Sequence, residues 1–82
     1  MAMNLRDLRY VAAVAELGQF GRAAAACNVS QPTLSGQILK LEEELGVRIF
    51  ERDGPVARVT ERGEAIVAHA RRVISAADDL KA

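Results

Sequence analysis

Apolar residues recur along this chain at the spacing of α-helices, and together with capping residues and glycines they predict four helical segments. In the first segment, one stripe is formed by Leu5, Leu8, Ala12 and Ala15. In the third, residues at intervals of four, three and four define a single buried face, made by Leu34, Ile38, Leu41 and Leu45. We expect helices over about 5–17, 20–27, 31–45 and 60–81, and therefore a mainly α fold.

A tight connection joins the second and third predicted helices. Asn28 suits the left-handed backbone conformation that ends a helix, and Val29 is apolar enough to be buried in the turn. Ser30 is the expected N-cap of the third helix, and Pro32 is tolerated in its first turn, where backbone amides have no intrahelical partner. This pattern is typical of a helix-turn-helix, whose second helix carries small polar side chains at its leading end.

A short hairpin is predicted after the third helix. Residues 47–52 have an extended pattern, Asp53-Gly54-Pro55 supplies a turn, and Arg58-Val59 returns alongside. We therefore predict a winged helix-turn-helix over residues 1–59, with three helices and a β-hairpin wing. Residues 60–82 are expected to form a long linker helix, capped by Thr60.

The last helix carries a heptad seam of apolar residues at spacings of four, three, four and three. A helix of about 20 residues spans roughly 30 Å, more than so small a domain covers. The seam therefore predicts a homodimer through this helix. Its expected interface residues are Ile66, Val67, Ala70, Val73, Ile74, Ala77 and Leu80.

Composition and charge limit the classes of function that are possible for this chain. The 82 residues contain 11 basic and 11 acidic side chains, so net charge alone neither supports nor opposes binding to nucleic acid. No apolar run approaches the ~20 residues of a membrane span, and no secretory signal is recognisable. The single cysteine, Cys27, suits a reducing cytoplasm, and we expect it to be a small core residue.

No catalytic constellation is apparent, so the chain is not expected to be an enzyme or to carry a cofactor or metal. His69 has no second ligand in the sequence and is expected to be exposed to solvent. The acidic run over residues 42–44 is expected to form a solvated face that points away from phosphates.

Several motifs, in this order, resemble the N-terminal DNA-binding domain of LysR-type bacterial transcription regulators. They span nearly the whole chain and comprise Leu5-Arg6-Asp7-Leu8-Arg9-Tyr10, Ala23-Ala24, Val29-Ser30-Gln31-Pro32-Thr33-Leu34-Ser35, Gln37-Ile38, Leu41-Glu42-Glu43-Glu44-Leu45-Gly46-Val47, Ile49-Phe50-Glu51-Arg52 and Thr60-Glu61-Arg62-Gly63. Within the family, Cys27 and residues 33–37 are more similar to the OxyR-type peroxide-sensing branch.

The resemblance implies a winged helix-turn-helix that binds dyad-symmetric promoter DNA and dimerises through the linker helix. It also implies a C-terminal effector-binding domain that is absent from this chain, tetramers in the full-length protein, and an effector or oxidant that acts on the absent domain. An OxyR-like member would control an oxidative-stress response, and Cys27 would not be its sensor.

Matching positions indicate which residues would contact DNA. Base edges are expected to meet Gln31, Pro32, Thr33, Ser35 and Gln37, since glutamine pairs with adenine and apolar groups contact the thymine methyl. Candidates for backbone phosphate contacts, which position the protein without reading sequence, are Arg6, Arg22, Ser30, Lys40, Arg52 and Arg58. For Arg52, the alternative is pairing with Glu51 or Asp53 at the surface.

Two departures from the family leave an alternative open. Many members have a basic residue where this chain has Gly36 or Leu39, and the wing tip, residues 53–57, lacks basic residues and contains an acid. Insertion of the wing into a minor groove is therefore not expected. The alternative function is a dimeric winged-helix protein-interaction module that does not bind DNA, although the polar start of the third helix disfavours it.

Overall fold

The computed structural model describes residues 3–81. The outer ends of the two predicted ranges, 1–59 and 60–82, therefore lie outside the described residues. The elements in chain order are α1 (Leu5–Leu17), α2 (Phe20–Ala26), α3 (Gln31–Leu45), β1 (Phe50–Glu51), β2 (Arg58–Val59) and α4 (Glu61–Lys81). The prediction of a mainly α, winged helix-turn-helix fold with a long last helix is confirmed.

Local hydrogen bonds explain where α1 begins and ends. The Asn4 side chain accepts a hydrogen bond from the backbone N–H of Asp7 at 3.0 Å, which satisfies one of the free amides of the first turn. Gly18 ends the helix in the left-handed region at φ 72°, and its N–H donates to the Val14 carbonyl. Both bounds of α1 coincide with the sequence prediction.

The core lies where α1 meets the other three helices. Val11 and Val14 of α1 are fully buried, as are Leu34 and Ile38 of α3. Ile49 and Phe50 close this core from the side of the hairpin. Burial of an aliphatic or aromatic side chain of this kind contributes ~1.5–3 kcal/mol to folding. The stripe predicted on α3 lies on this core, but the stripe predicted on α1 was wrong in position. Of its residues only Leu8 is buried, and the buried face of α1 runs instead through the larger side chains of Val11 and Val14.

The hairpin is shorter than the extended segment predicted over residues 47–52. Only two residue pairs form the antiparallel ladder, Phe50 with Val59 and Glu51 with Arg58. The backbone N–H of Val47 donates instead to the Glu42 carbonyl, and the N–H of Ile49 donates to the Glu42 side chain. These amides are therefore occupied by α3 and are not available to a strand.

Two hydrogen bonds attach the wing to the helices. The N–H of Ala57 donates to the Gly18 carbonyl at 2.8 Å, at the end of α1. The N–H of Thr60 donates to the Ile49 carbonyl at 2.9 Å, while the Thr60 hydroxyl accepts from the Gly63 N–H and thereby caps α4 as predicted. Among residues 3–81, no helix combines the length and apolar character of a membrane span.

Candidate nucleic-acid interface

The turn between α2 and α3 fixes the direction in which α3 leaves. Asn28 adopts φ 59°, and it is the one non-glycine residue with positive φ among those described. The N–H of Val29 donates to the Ala24 carbonyl at 3.0 Å, which closes the turn against α2. Ser30 then caps α3 by accepting a hydrogen bond from the Thr33 N–H. Local hydrogen bonds therefore hold the start of α3. The roles of Asn28, Val29 and Ser30 agree with the sequence prediction.

The structure places the predicted base-contacting residues at the surface of the leading end of α3. Gln31, Pro32 and Thr33 are exposed, and Ser35 and Gln37 are half-buried. The Ser30 hydroxyl donates to the Thr33 hydroxyl oxygen at 2.9 Å, which leaves the Thr33 hydrogen available to an acceptor outside the protein.

A notch of about 240 Å³ lies between the start of α3 and the wing. Its walls come from α3, from the first residue of α2 and from the wing, and its lining residues are Phe20, Gln31, Ser35, Arg52, Gly54, Pro55, Val56 and Ala57. The sequence predicted no such contact between the leading end of α3 and the wing. Two of the predicted base-contacting residues, Gln31 and Ser35, therefore face the wing across this notch.

Most of the predicted phosphate-contacting residues are exposed. This applies to Arg6, Arg22, Ser30, Lys40 and Arg58. The Arg6 guanidinium lies 3.7 Å from the Asp7 carboxylate, and its side chain is 58% exposed, so it is accessible to another anion. Arg52 differs, because its side chain is only 23% exposed.

Arg52 pairs with a residue that the sequence prediction had not considered. Its Nη1 donates to Glu42 Oε1 at 2.9 Å, and the guanidinium lies 4.9 Å from the centroid of the Phe20 ring. Neither Glu51 nor Asp53, the two predicted alternatives, is its partner in the ion pair.

The expectation of a solvated acidic face was wrong for Glu42, which is buried, whereas Glu43 and Glu44 are exposed. Glu42 lies four residues after Ile38, which places it about 40° from Ile38 at 100° per residue, at the edge of the buried face. That spacing was the signal that could have identified Glu42 as a buried residue. The run of three acids obscures this signal, because consecutive charged residues suggest that all three side chains are exposed.

The seam predicted on α4 divides into two adjoining stripes. Val67 and Ala70 are buried in the chain's own core, so they are not accessible to a second copy. Val73 and Leu80 are 47% and 87% exposed. The remaining predicted interface positions, half-buried in the chain, are Ile66, Ile74 and Ala77. The physical reason is that α4 packs along α1, and this contact uses one stripe of the predicted seam.

The remaining candidate residues are placed as the sequence predicted. Cys27 is half-buried at the end of α2, and His69 is exposed on α4. One long-range contact was not predicted: Arg9 of α1 donates to Asp78 near the end of α4 at 2.9 Å. No sequence signal pointed to it, since the two residues are 69 positions apart.

Comparison with known proteins gives consistent results. The sequence profile of the bacterial regulatory helix-turn-helix proteins of the lysR family matches residues 5–64. A hydrogen peroxide-inducible genes activator of Haemophilus influenzae is 53% identical over 72 residues, which is 88% of this chain and 24% of that protein. The DNA-binding transcriptional dual regulator OxyR of Escherichia coli is 52% identical over 79 residues, which is 96% of this chain and 26% of that protein.

Solved structures are also similar. A full-length OxyR variant from Pseudomonas aeruginosa superposes with a TM-score of 0.91 at 51% identity, over 96% of this chain and 27% of that one. The DNA-binding domain of CbnR, solved in complex with DNA, superposes with a TM-score of 0.89 at 38% identity, over 96% of this chain and 91% of that one. The chain thus spans about a quarter of the length of the curated relatives it matches. It belongs to the bacterial regulatory helix-turn-helix proteins of the lysR family.

Proposed function

We propose that this chain is the sequence-specific DNA-binding domain of a lysR-family transcription regulator, with α3 in the major groove of double-stranded DNA. The observation that carries the proposal is the exposure of Gln31, Pro32 and Thr33 at an end of α3 whose direction the preceding turn fixes. The similarity to the CbnR domain that was solved in complex with DNA supports the same conclusion.

Base readout and positioning are assigned to different residues. Gln31 and Gln37 carry amides that can pair with adenine, while Pro32 and the Thr33 methyl group offer apolar contact to thymine. Arg22, Lys40 and Arg58 are exposed cations that would neutralise phosphates, as would Arg6. Ser35 of α3 lines the notch beside the wing, so it is placed to read a base there.

A dyad-symmetric site requires two copies of the domain. We assign the interface to the outward stripe of α4, where Val73 and Leu80 are exposed together with the half-buried Ile66 and Ala77. Pairing of these helices would set the separation of the two half-sites. In a longer protein, an effector or oxidant would act on a C-terminal domain and tetramers would form.

The relatives indicate which cellular response the protein that contains this domain would control. Two of them are described as a hydrogen peroxide-inducible genes activator and as OxyR, and both share more than half of the aligned residues. We therefore propose control of an oxidative-stress response by the protein that contains this domain. Its relatives are regulators, so a regulatory rather than an enzymatic role is proposed, and action on bacterial DNA implies a cytoplasmic location.

The second candidate, a dimeric winged-helix protein-interaction module, is favoured by one observation. The wing tip exposes Asp53, Pro55 and Val56 and contains no basic residue, so it offers phosphates no charge. The polar leading end of α3 favours DNA, because the centre of a protein interface is normally more apolar than this surface.

Selection of bound duplexes from a random DNA pool by the 82-residue chain, at two salt concentrations, tests the proposal. We expect a dyad-symmetric sequence to be enriched, and gel-shift titration to show weaker retention of a scrambled duplex. Gln31→Ala should reduce this preference, whereas Ser75→Ala, on an exposed position of α4, should retain it. Equal retention of selected and scrambled duplexes would favour the protein-interaction module.

A further inference from the structure

The buried carboxylate of Glu42 joins α3 to the segment that leads into the wing. Its Oε2 accepts hydrogen bonds from the backbone N–H of Ile49 at 2.7 Å and of Phe50 at 3.2 Å. Its Oε1 accepts from Arg52 Nη1 at 2.9 Å. A carboxylate that is only 8% exposed and accepts three hydrogen bonds has its charge balanced inside the protein.

The guanidinium of Arg52 extends this connection to α2. It lies 4.9 Å from the centroid of the Phe20 ring, and the same ring packs edge-on against Phe50, with centroids 5.9 Å apart. Phe20 is the first residue of α2, and Phe50 is fully buried in β1. One contact set, consisting of Phe20, Glu42, Phe50 and Arg52, therefore links α2, α3 and the wing.

The donors of Arg52 are oriented into the protein. Nη1 donates to Glu42, and both Nε and Nη2 are buried with no hydrogen-bond partner among the described residues. A phosphate contact through Nε or Nη2 would require Arg52 to move away from Phe20. The positive charge is also offset by the Glu42 carboxylate at short range.

We propose that Arg52, held by Glu42, is a positioning residue that sets the leading end of α3 against the wing, and that it does not neutralise a DNA phosphate. Arg52 lines the notch together with Gln31 and Ser35, so its displacement would shift side chains assigned to base readout. This inference rests on the proposed DNA-binding function. It replaces the sequence-based assignment of Arg52 to the DNA backbone.

Two variants separate the roles, because lysine retains the positive charge but lacks the planar fork that bonds Glu42 and lies over Phe20, whereas methionine lacks both. For Arg52→Lys and Arg52→Met, the affinity for the selected duplex and for a scrambled duplex is measured over a series of salt concentrations. Lys40→Met is the matched control for loss of an exposed cation. All measurements are made at a temperature at which circular dichroism shows each variant to be folded.

A positioning role predicts that both Arg52 variants lose affinity for the selected duplex about tenfold, the order of a lost charge-assisted hydrogen bond. Binding of the scrambled duplex and the slope of log K against log[salt] should stay unchanged. Lys40→Met should instead weaken both duplexes and reduce the slope by about 0.9. A reduced slope for Arg52→Met that Arg52→Lys restores would overturn the inference.

An NMR measurement on the DNA-free chain distinguishes failure of the inference from failure of the proposed function. Arg52→Lys is expected to shift the backbone amide resonances of Gln31 and Ser35, whereas Lys40→Met should leave that of Gln31 in place. These shifts would support the positioning role even if the wild-type chain showed no preference among duplexes. Unchanged Gln31 and Ser35 resonances in Arg52→Lys would overturn it, whatever the DNA result.

Discussion

A Cβ atom on Gly63 would lie 2.5 Å from the carbonyl oxygen of Ile49 and 2.9 Å from the Ile49 Cα atom. The first turn of α4 therefore rests directly on the backbone that leads into β1. The same carbonyl accepts the Thr60 N–H, so the approach is fixed from two sides. This contact therefore joins the linker helix α4 to the segment that leads into the wing.

Replacement of Gly63 by alanine is expected to destabilise the domain. The added methyl group meets backbone atoms that cannot rotate away, and overpacking of this kind costs about 1–3 kcal/mol. In a domain of this size the loss corresponds to a fall in Tm of about 4–8 °C per kcal/mol. Thermal unfolding followed by circular dichroism measures it.

Gly36→Ala is the matched control, since nothing lies within 4 Å of a Cβ atom at that position in α3. Alanine favours a helix interior over glycine by ~0.5–1 kcal/mol, so this variant should unfold at a higher temperature than the wild type. Equal Tm values for the two variants would contradict the close approach of Gly63.

The turn before α3 predicts that alanine and glycine at position 28 have different effects on stability. Its φ of 59° is tolerated by asparagine and glycine, whereas alanine in this region costs about 1–2 kcal/mol. We expect Asn28→Ala to lower the free energy of unfolding in urea by about 1 kcal/mol, and Asn28→Gly to match or exceed the wild type. An alanine variant as stable as the glycine variant would show that the turn relaxes.

Ser35→Arg is expected to alter which bases are preferred. The serine lies at the notch between α3 and the wing, so a longer side chain there reaches a base edge and introduces a bidentate donor for guanine. Repeated selection from a random DNA pool measures the change. Ser75→Arg adds the same charge on α4 and should raise affinity for every duplex without changing the preferred sequence. If the two variants preferred the same DNA sequence, Ser35 would not be a base-contacting residue.

Val73→Glu tests dimerisation through α4. Val73 is 47% exposed on the outward stripe, and a buried unpaired carboxylate at a helix pair is costly. Analytical ultracentrifugation should show a monomer at concentrations where the wild type is dimeric. Ser75→Glu, two positions on and about 160° around the helix, should remain dimeric. A dimer that survives Val73→Glu would place the interface elsewhere.

Capping residues made helix bounds predictable. The starts of α1 and α3, at Asn4 and Ser30, and their ends, at Gly18 and Gly46, depend on hydrogen bonds and backbone conformations within a few residues. The leading end of α3 was predictable for the same reason. The length of the wing strands was not, because α3 occupies the backbone amides of Val47 and Ile49, which precede β1.

The sequence by itself determined the four helices, the turn that directs α3 and the polar character of the surface that α3 presents. These features are local, since periodicity and capping operate within a turn or two of helix. Tertiary packing decided that Glu42 is buried against Arg52, and that Val67 and Ala70 face the core while Val73 faces outward. Burial depends on which distant segment covers a residue, and no pattern within one helix specifies that neighbour.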